Sequence, residues 1–209
     1  MPLPFNDLSS LFFFIAALLV AIDIHEFAHA WMADKLGDPT PRINGRLTLN
    51  PLAHLDPLGT LALFIFHIGW GKPVEIDPYN LRNPRRDAAL ISLAGPASNF
   101  LLAAALSLLT HLLPPSQFLV NLIVLSVALG VFNLLPVPPL DGSKILLGFL
   151  PADLAYEWEK IFDQYGIFIL IFILFPFFGN QALVNLIIWP IINFILGLLL
   201  SPTLFLQIV

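Results

Sequence analysis

Residues 8–36 read LSSLFFFIAALLVAIDIHEFAHAWMADKL, a long apolar stretch that carries a few polar side chains past its middle. This segment exceeds the roughly 20 residues that a membrane-spanning helix needs. It predicts one helix from about Leu8 to Leu36, with Asn6 or Asp7 available as the N-cap. Gly37 and Pro39 are typical of the residues that end a helix. The first helix is therefore expected to be long, continuous and compatible with a lipid environment.

The pattern His25-Glu26-Phe27-Ala28-His29 lies within this helix. At positions i and i+4 the imidazoles of His25 and His29 share one helical face, where each can give a nitrogen to a single Zn²⁺. Glu26, next to the first histidine, can act as a general base toward a water molecule. The motif is typical of zinc hydrolases.

A catalytic zinc site usually has three protein ligands and one open position. The chain contains no cysteine, which excludes thiolate ligands and disulfides. The third ligand must therefore be a histidine or a carboxylate. The candidates are Asp141, His54, Asp56, Asp23 and Glu75.

Asp141 is the strongest of these candidates. It is the first charged residue after Asp87, and it follows the proline-rich segment 136–139. A lone carboxylate at membrane depth is costly and indicates a functional site. The structural alternative is a helix cap at the water interface.

The composition favours a membrane protein. Of the 209 residues 58% are hydrophobic and only 11% are charged, and the mean hydropathy is +0.87. No Asp, Glu, Lys or Arg occurs between Asp87 and Asp141, or after Asp163. Each uncharged run can hold two spans. A very apolar soluble core is the alternative, and the absence of a basic stripe argues against a nucleic-acid partner.

Further helices are expected beyond the first. Residues 58–70 are too short for a full span and predict a re-entrant segment. The other apolar stretches predict helices over about 87–113, 118–135, 165–178 and 183–200. The predicted fold class is thus all-α and polytopic, with about five to six transmembrane or re-entrant helices and a short membrane-associated β-hairpin near the active site.

The basic residues predict the orientation. All nine Lys and Arg fall at the end of the first predicted helix, between it and the third, or between the fourth and fifth. If residues 58–70 do not cross, all nine lie on one face. The positive-inside rule then predicts a cytoplasmic basic face and a non-cytoplasmic N-terminus, with the metal site toward the cytoplasmic side.

The hairpin is expected in residues 40–57. Arg46-Leu47-Thr48-Leu49 alternates in polarity, Asn44-Gly45 is a hairpin-turn signal, and Asn50-Pro51 closes the strand. A free strand edge there could receive an extended substrate. A plain polar loop is the alternative.

Three motifs together resemble the site-2 protease family of intramembrane zinc metalloproteases. They are HEFAHA in the first helix, AGPASN at 94–99 and NLLPVPPLDG at 133–142. The resemblance extends from about Ile15 to Leu147 and is closest to the minimal bacterial type, without PDZ or CBS domains, through GRLTLNPLAHLDPLGT and GWGKPV.

The resemblance implies that His25, His29 and Asp141 bind one Zn²⁺ per chain and that Glu26 is catalytic. It further implies that Asn133 holds substrate or the oxyanion, and an amide can donate hydrogen bonds to a developing negative charge. The alternative for Asn133 is a hydrogen bond between helices.

Four residues are expected to contact substrate or to support the site. Asn99 follows Gly95-Pro96, which predicts a break in the third helix, and a packing role is favoured over a catalytic one. His54 could line the site, contact substrate or occupy the open position of the metal in a resting state, and a solvated interfacial histidine is the alternative. Gly45 in the predicted hairpin turn and Asn50, which closes the strand, complete this set.

We divide the chain into a catalytic membrane core, 1–150, and an interfacial helix with two transmembrane helices, 151–209. The predicted function is hydrolysis of peptide bonds in or near transmembrane segments of other proteins, in the plasma membrane of a prokaryote. The expected partners are a single-pass membrane substrate and lipid; a homo-oligomer or a regulatory membrane partner is left open. An inactive homologue and a metal transporter are the competing interpretations.

Overall fold

The computed structural model describes residues 7–59, 71–112, 114–176 and 182–206, and these residues are mostly helical. In chain order the α-helices are α1 Leu8–Leu36, α2 Thr40–Ile43, α3 Pro51–His54, α4 Pro84–Thr110, α5 Gln117–Asn133, α6 Asp141–Phe149, α7 Ala152–Leu174, α8 Leu183–Leu199 and α9 Pro202–Phe205. A short 3₁₀ turn, Pro78–Asn80, precedes α4.

Helix α1 begins and ends where the sequence predicts. The Asp7 side chain accepts a hydrogen bond from the backbone N–H of Ser10 at 2.7 Å, which satisfies one of the free donors at the helix start. Gly37 ends the helix in the left-handed conformation with φ 108°. The prediction for the first helix is confirmed.

The helix break expected at Gly95-Pro96 is not found in α4. Pro84–Thr110 is one continuous helix with Pro96 inside it. Pro96 removes a single N–H donor, the one that would bond to the Ser92 carbonyl. Helices α1, α5 and α6 pack against α4, and this packing supports the helix around the missing hydrogen bond.

The predicted β-hairpin in residues 40–57 is not found. Residues Thr40–Ile43 and Pro51–His54 form helical turns, each with a proline in its first two positions. Asn44-Gly45 ends α2 instead of turning a hairpin. Gly45 has φ 66°, its N–H donates to Arg42, and the next N–H donates to the Pro41 carbonyl, which is a Schellman cap. An isolated antiparallel bridge between Leu55 and Gly71 is the only strand-like pairing within the described residues.

The C-terminal helices differ from the prediction in one boundary. Helix α7 begins at Ala152, well before residue 165. Its buried residues Ala155, Phe162, Gly166 and Leu170 follow helical spacing, so one apolar stripe joins the charged first half to the apolar second half. Residues 60–70 of the predicted re-entrant segment lie outside the described residues.

Helix α4 occupies the centre and packs against α1, α5 and α6, while α8 packs mainly against α5. Small residues such as Ala17 and Ala21 of α1 are fully buried and let the helices approach closely.

Helices α1 and α4 are both long and apolar enough to cross a membrane. The largest buried cluster joins α4, α5 and α8 through Ala103, Ile123, Val127, Val131, Ile188, Ile192 and Leu196.

One buried carboxylate joins the end of α1 to the start of α4. Asp38 accepts hydrogen bonds from the Thr40 hydroxyl at 2.6 Å, the Asp77 N–H at 2.8 Å and the Asn80 amide at 2.9 Å. Burial acts to raise the pKa of Asp38, but these hydrogen bonds outweigh it and hold the pKa below its ordinary value. The contact fixes where α4 starts relative to α1.

Candidate metal centre

Three side chains from distant parts of the chain converge between α1 and α6. Nε2 of His25 lies 3.1 Å from Oδ2 of Asp141, and Nε2 of His29 lies 3.2 Å from the same oxygen. The two imidazole rings are perpendicular, with centroids 4.6 Å apart. Both histidines are buried, at 4% and 7% exposure.

The hydrogen bonds of the two histidines decide which nitrogen of each ring carries the proton. Nδ1 of His29 lies 2.7 Å from the Ile91 carbonyl, which can only accept. Nδ1 of His25 lies 3.1 Å from Oδ1 of Asn99. The Asn99 amide nitrogen donates to the Ala21 carbonyl at 3.3 Å, and this fixes the orientation of the amide. Each neutral ring therefore has its proton on Nδ1 and its free lone pair on Nε2.

Helix α4 comes very close to the histidine pair. Asn99 is fully buried on this face, one turn after Gly95. A Cβ atom placed on Gly95 would lie 2.5 Å from Cε1 of His29 and 2.7 Å from Cε1 of His25. A side chain at this position would therefore occupy space that the imidazoles need.

Asp141 reaches the site because it begins a helix. The segment before it contains a cis peptide bond between Pro138 and Pro139, and Leu140 has extended backbone angles. Asp141 is the first residue of α6, where the positive end of the helix dipole favours a carboxylate. Helix α6 packs against α4, which also lies against His25 and His29.

This donor set fits zinc. Two imidazole nitrogens and one carboxylate oxygen are the ligand types of catalytic zinc sites, and the three candidate atoms lie within 4.8 Å of one another. A tetrahedral zinc with bonds of about 2.0–2.1 Å has its ligand atoms about 3.3 Å apart, close to the observed separations. His25, His29 and Asp141 are the single candidate metal cluster among the described residues.

Glu26 lies beside this cluster, beneath two short segments, residues 46–55 and 71–72, which we call the cover. Helix α3, part of the cover, packs against α1. A Cβ placed on Gly71 would lie 4.0 Å from Oε1 of Glu26 and 3.5 Å from Cγ2 of Ile22. The Glu26 side chain is half-buried, so it is only partly exposed to solvent.

His54 belongs to the cover and is buried, not solvated, at 1% exposure. Its Nε2 donates to the Thr48 carbonyl at 2.9 Å and lies 3.3 Å from Oδ1 of Asp23. The pair joins the cover to α1 on the side of Glu26. Its Nδ1 has no hydrogen-bond partner within the described residues.

The other predicted site residues have local contacts. The Asn133 amide, at the end of α5, donates to the Leu129 carbonyl at 3.0 Å. Asn50 caps α3 through a bond from the Leu52 N–H, and Gly45 ends α2. The substrate contacts expected for Asn133, Asn50 and Gly45 stay predictions.

Sequence reasoning missed two groups at the site. The Ile91 carbonyl orients His29, and no side-chain pattern signals a backbone acceptor. By its sequence Arg46 begins the alternating stretch of the predicted hairpin, but it is buried at 5% exposure inside the cover. An arginine directly after an Asn-Gly helix terminator gives no sign of burial by itself.

Comparison with known proteins identifies the family of this chain. The model of peptidase family M50 matches residues 111–175. The chain is 36% identical over 202 residues to "Putative zinc metalloprotease YwhC" of Bacillus subtilis, covering 90% of each chain. It is 33% identical over 190 residues to "Putative zinc metalloprotease Rip2" of Mycolicibacterium smegmatis, covering 84% of this chain and 71% of the relative.

A more distant relative carries a related name. The chain is 25% identical over 143 residues to "Zinc metalloprotease MJ0392" of Methanocaldococcus jannaschii, covering 66% of this chain and 34% of the relative. No solved structure matches the chain.

Proposed function

This chain belongs to peptidase family M50, the site-2 protease family, and is a zinc metalloprotease; from this premise we propose that it hydrolyses peptide bonds in or near the transmembrane segments of other membrane proteins. The observation that supports the proposal most strongly is the position of the His25, His29 and Asp141 cluster. It lies inside a bundle whose central helices α1 and α4 are both long and apolar enough to span a membrane.

In this proposal His25 and His29 bind the zinc through Nε2, and Asp141 binds it through a carboxylate oxygen, with one zinc per chain. When bound, zinc polarises a carbonyl group and lowers the pKa of a water molecule. Asn99 and the Ile91 carbonyl keep both rings in the tautomer whose Nε2 lone pair is free for the metal. Hydrogen-bond partners of the ligating histidines have the same role in other zinc sites.

Glu26 carries the proton in the reaction. Its carboxylate accepts a proton from the water as the water oxygen attacks the carbonyl carbon of the scissile bond. When the C–N bond breaks, Glu26 returns the proton to the leaving amine nitrogen. The half-buried carboxylate of Glu26, shielded by the cover, suits a group that must both take up and release a proton.

Asn133 is proposed to hold the substrate carbonyl oxygen. An amide nitrogen carries two N–H groups, so one can donate to Leu129 while the other donates to substrate. Negative charge develops on that oxygen during attack, and a fixed donor stabilises it. His54 supports the site through the cover, and Asn50 and Gly45 shape the backbone there.

The proposed placement is multi-pass in the plasma membrane of a prokaryote, with the site toward the cytoplasm. The end of α1 and the start of α4 meet at one end of the bundle through Asp38, and this end carries Lys35, Arg85 and Arg86. His25 lies 11 residues before Leu36, or about 17 Å along the helix. The positive-inside rule makes this basic end cytoplasmic.

The proposed substrate is a single-pass membrane protein, met within the lipid bilayer. The proposed division of labour gives the chemistry to residues 1–150. In residues 151–209 the proposed interfacial helix and the first further span are the two halves of α7, and α8 is the second span. The exposed apolar residues along α7 and α8 suit contact with lipid or with a second membrane chain.

The test compares new protein termini in membranes from cells that express wild type or Glu26→Gln. Mass spectrometry of protein termini in the membrane fraction identifies cleavage sites in any protein that is cut, so no substrate has to be chosen beforehand. We expect termini within or beside transmembrane segments that depend on Glu26. Purified wild type that cuts soluble casein, with no Glu26-dependent termini in membrane proteins, would overturn the proposal.

A further inference from the structure

Arg46 is a buried cation that the proposed reaction does not use. It is 5% exposed, and its two terminal nitrogens donate to the backbone carbonyls of Ala53 and Lys72. Its Nε has no hydrogen-bond partner among the described residues. A guanidinium that gives up solvation to bind two main-chain carbonyls acts as a structural clamp with fixed geometry.

The two carbonyls that Arg46 binds belong to the two separate segments of the cover. These segments also contact each other directly, because the Lys72 N–H donates to the His54 carbonyl at 2.8 Å and Leu55 pairs with Gly71. The direct polar contacts between the two segments are thus this backbone bond, which belongs to the Leu55–Gly71 bridge, and the Arg46 bond to the Lys72 carbonyl. A single bridge between strands is marginal by itself. Arg46 therefore has a large share in holding the segments together.

Gly71, next to Lys72 in the second segment of the cover, faces Glu26. Its α-carbon faces both the Glu26 carboxylate and the His54 carbonyl. The positive charge of Arg46 also interacts with the carboxylates of Glu26 and Glu75. Burial lowers the pKa of Arg46, and these two negative charges oppose that shift.

We propose that Arg46 is a positioning residue for Glu26: its guanidinium clamps the two segments of the cover and so holds the backbone of Gly71 against the Glu26 carboxylate. This inference rests on the proposed function only in taking Glu26 as the proton carrier. The clamp itself is a structural claim and can be tested without catalysis.

The first readout is hydrogen exchange at the Lys72 amide, which bonds across the cover. The purified full-length protein in detergent is compared with Arg46→Gln and Arg46→Lys. We expect exchange in Arg46→Gln to be faster by about tenfold or more, the factor that matches losing one hydrogen bond to a charged group. Arg46→Lys keeps a charged donor and is expected to fall between the two.

Two controls belong to this measurement. Arg42→Gln changes a nearby arginine in helix α2 that is 64% exposed and pairs with Asp34, and it should leave the Lys72 amide unchanged. The Tyr79 amide, bonded to the Asp77 side chain, is an internal reference that should exchange equally in all variants.

The second readout separates positioning from binding. A membrane substrate identified by its Glu26-dependent termini is cleaved by the same variants in proteoliposomes, and zinc content is measured alongside. Arg46→Gln should keep its zinc, lose kcat by about tenfold to a hundredfold and keep KM, since a misplaced proton carrier slows chemistry. Arg46→Lys should recover part of kcat.

Each of three outcomes would overturn the proposal. Unchanged exchange at Lys72 in Arg46→Gln would show that the clamp is not needed. A raised KM with unchanged kcat would make Arg46 a substrate-binding residue. Loss of zinc in both Arg46 variants would make it a general folding residue. If instead Glu26→Gln keeps full cleavage, the proposed function fails, while the exchange result still decides the clamp.

Discussion

The α-carbon of Gly95 faces the imidazole of His29 so closely that a Cβ atom there would lie 2.5 Å from Cε1 and would overlap Nε2. This Nε2 is the nitrogen that lies 3.2 Å from the Asp141 carboxylate. The motif AGPASN thus serves the metal centre by leaving room for it as well as by supplying Asn99. Helix α4 forms one wall of the site and orients both histidines.

Gly95→Ala should abolish zinc binding. The added methyl group overlaps both imidazoles, and helices α1 and α4 cannot separate without disturbing the buried packing around Ile91. Zinc content of the purified variant is the measurement. Gly197→Ala is the matched control, since a Cβ there meets nothing closer than 3.9 Å. Equal zinc in both variants would contradict the close approach of α4 to the histidines.

Asp141→Ala should lower zinc content from about one per chain to a small fraction of that, because two histidines alone are an incomplete set of ligands. The substitution removes the oxygen shared by the two Nε2 contacts. Asp153→Ala, at an exposed position near the start of α7, should keep full zinc. Zinc retained at the wild-type level in Asp141→Ala would move the third ligand elsewhere.

Asn99→Ala should weaken zinc binding by about 10–100-fold while leaving the chain folded. Without the amide oxygen, Nδ1–H of His25 has no acceptor, so the ring can rotate and the tautomer is no longer fixed. Competition with a chelator of known affinity measures the change. Ser126→Ala also truncates a buried polar side chain, but one without a hydrogen-bond partner in the described part of the chain, and it should bind zinc like wild type.

Glu26→Gln should keep zinc and stop cleavage. Glutamine preserves the shape of the side chain but cannot carry the proton between water and the amine. Zinc content and the amount of cleaved membrane substrate, both measured on this variant, test the prediction. Activity at the wild-type level in this variant would remove Glu26 from the mechanism.

Asp38→Asn should destabilise the protein at neutral pH by about 1–3 kcal/mol, because asparagine has one acceptor oxygen where the carboxylate has two. The folded pKa of Asp38 is below its ordinary value. Its contribution to stability is thus complete above about pH 4 and is lost as the pH falls through the folded pKa.

The thermal unfolding midpoint of Asp38→Asn, followed from pH 7 downward in detergent, should therefore approach that of wild type in acid. The exposed Asp153→Asn serves as a control for the general effect of removing a surface carboxylate. A difference between Asp38→Asn and wild type that does not change with pH would argue against the ionised carboxylate as its source.

Much of the architecture could be predicted because its causes are local. Leu8–Leu36 is a helix since its length, its Asp7 cap and its Gly37 terminator are all contained in one segment. The spacing of His25 and His29 follows from helix geometry alone. The hairpin prediction is not confirmed, and the reason is also local: Asn-Gly fits both a hairpin turn and a helix terminator, and the prolines of α2 and α3 favour the second.

By itself, then, the sequence determined the helix that carries the two histidines and Glu26, and the types of side chain able to complete a metal site. Only the tertiary structure brings Asp141 to His25 and His29, which lie 116 and 112 positions earlier in the chain. It also places the Nε2 atoms of both histidines near the same carboxylate oxygen. The burial of His54 and Arg46 likewise follows from the tertiary structure and not from the local sequence. These depend on which helices pack together, since burial and long-range contacts arise from the sum of many weak interactions over the whole bundle.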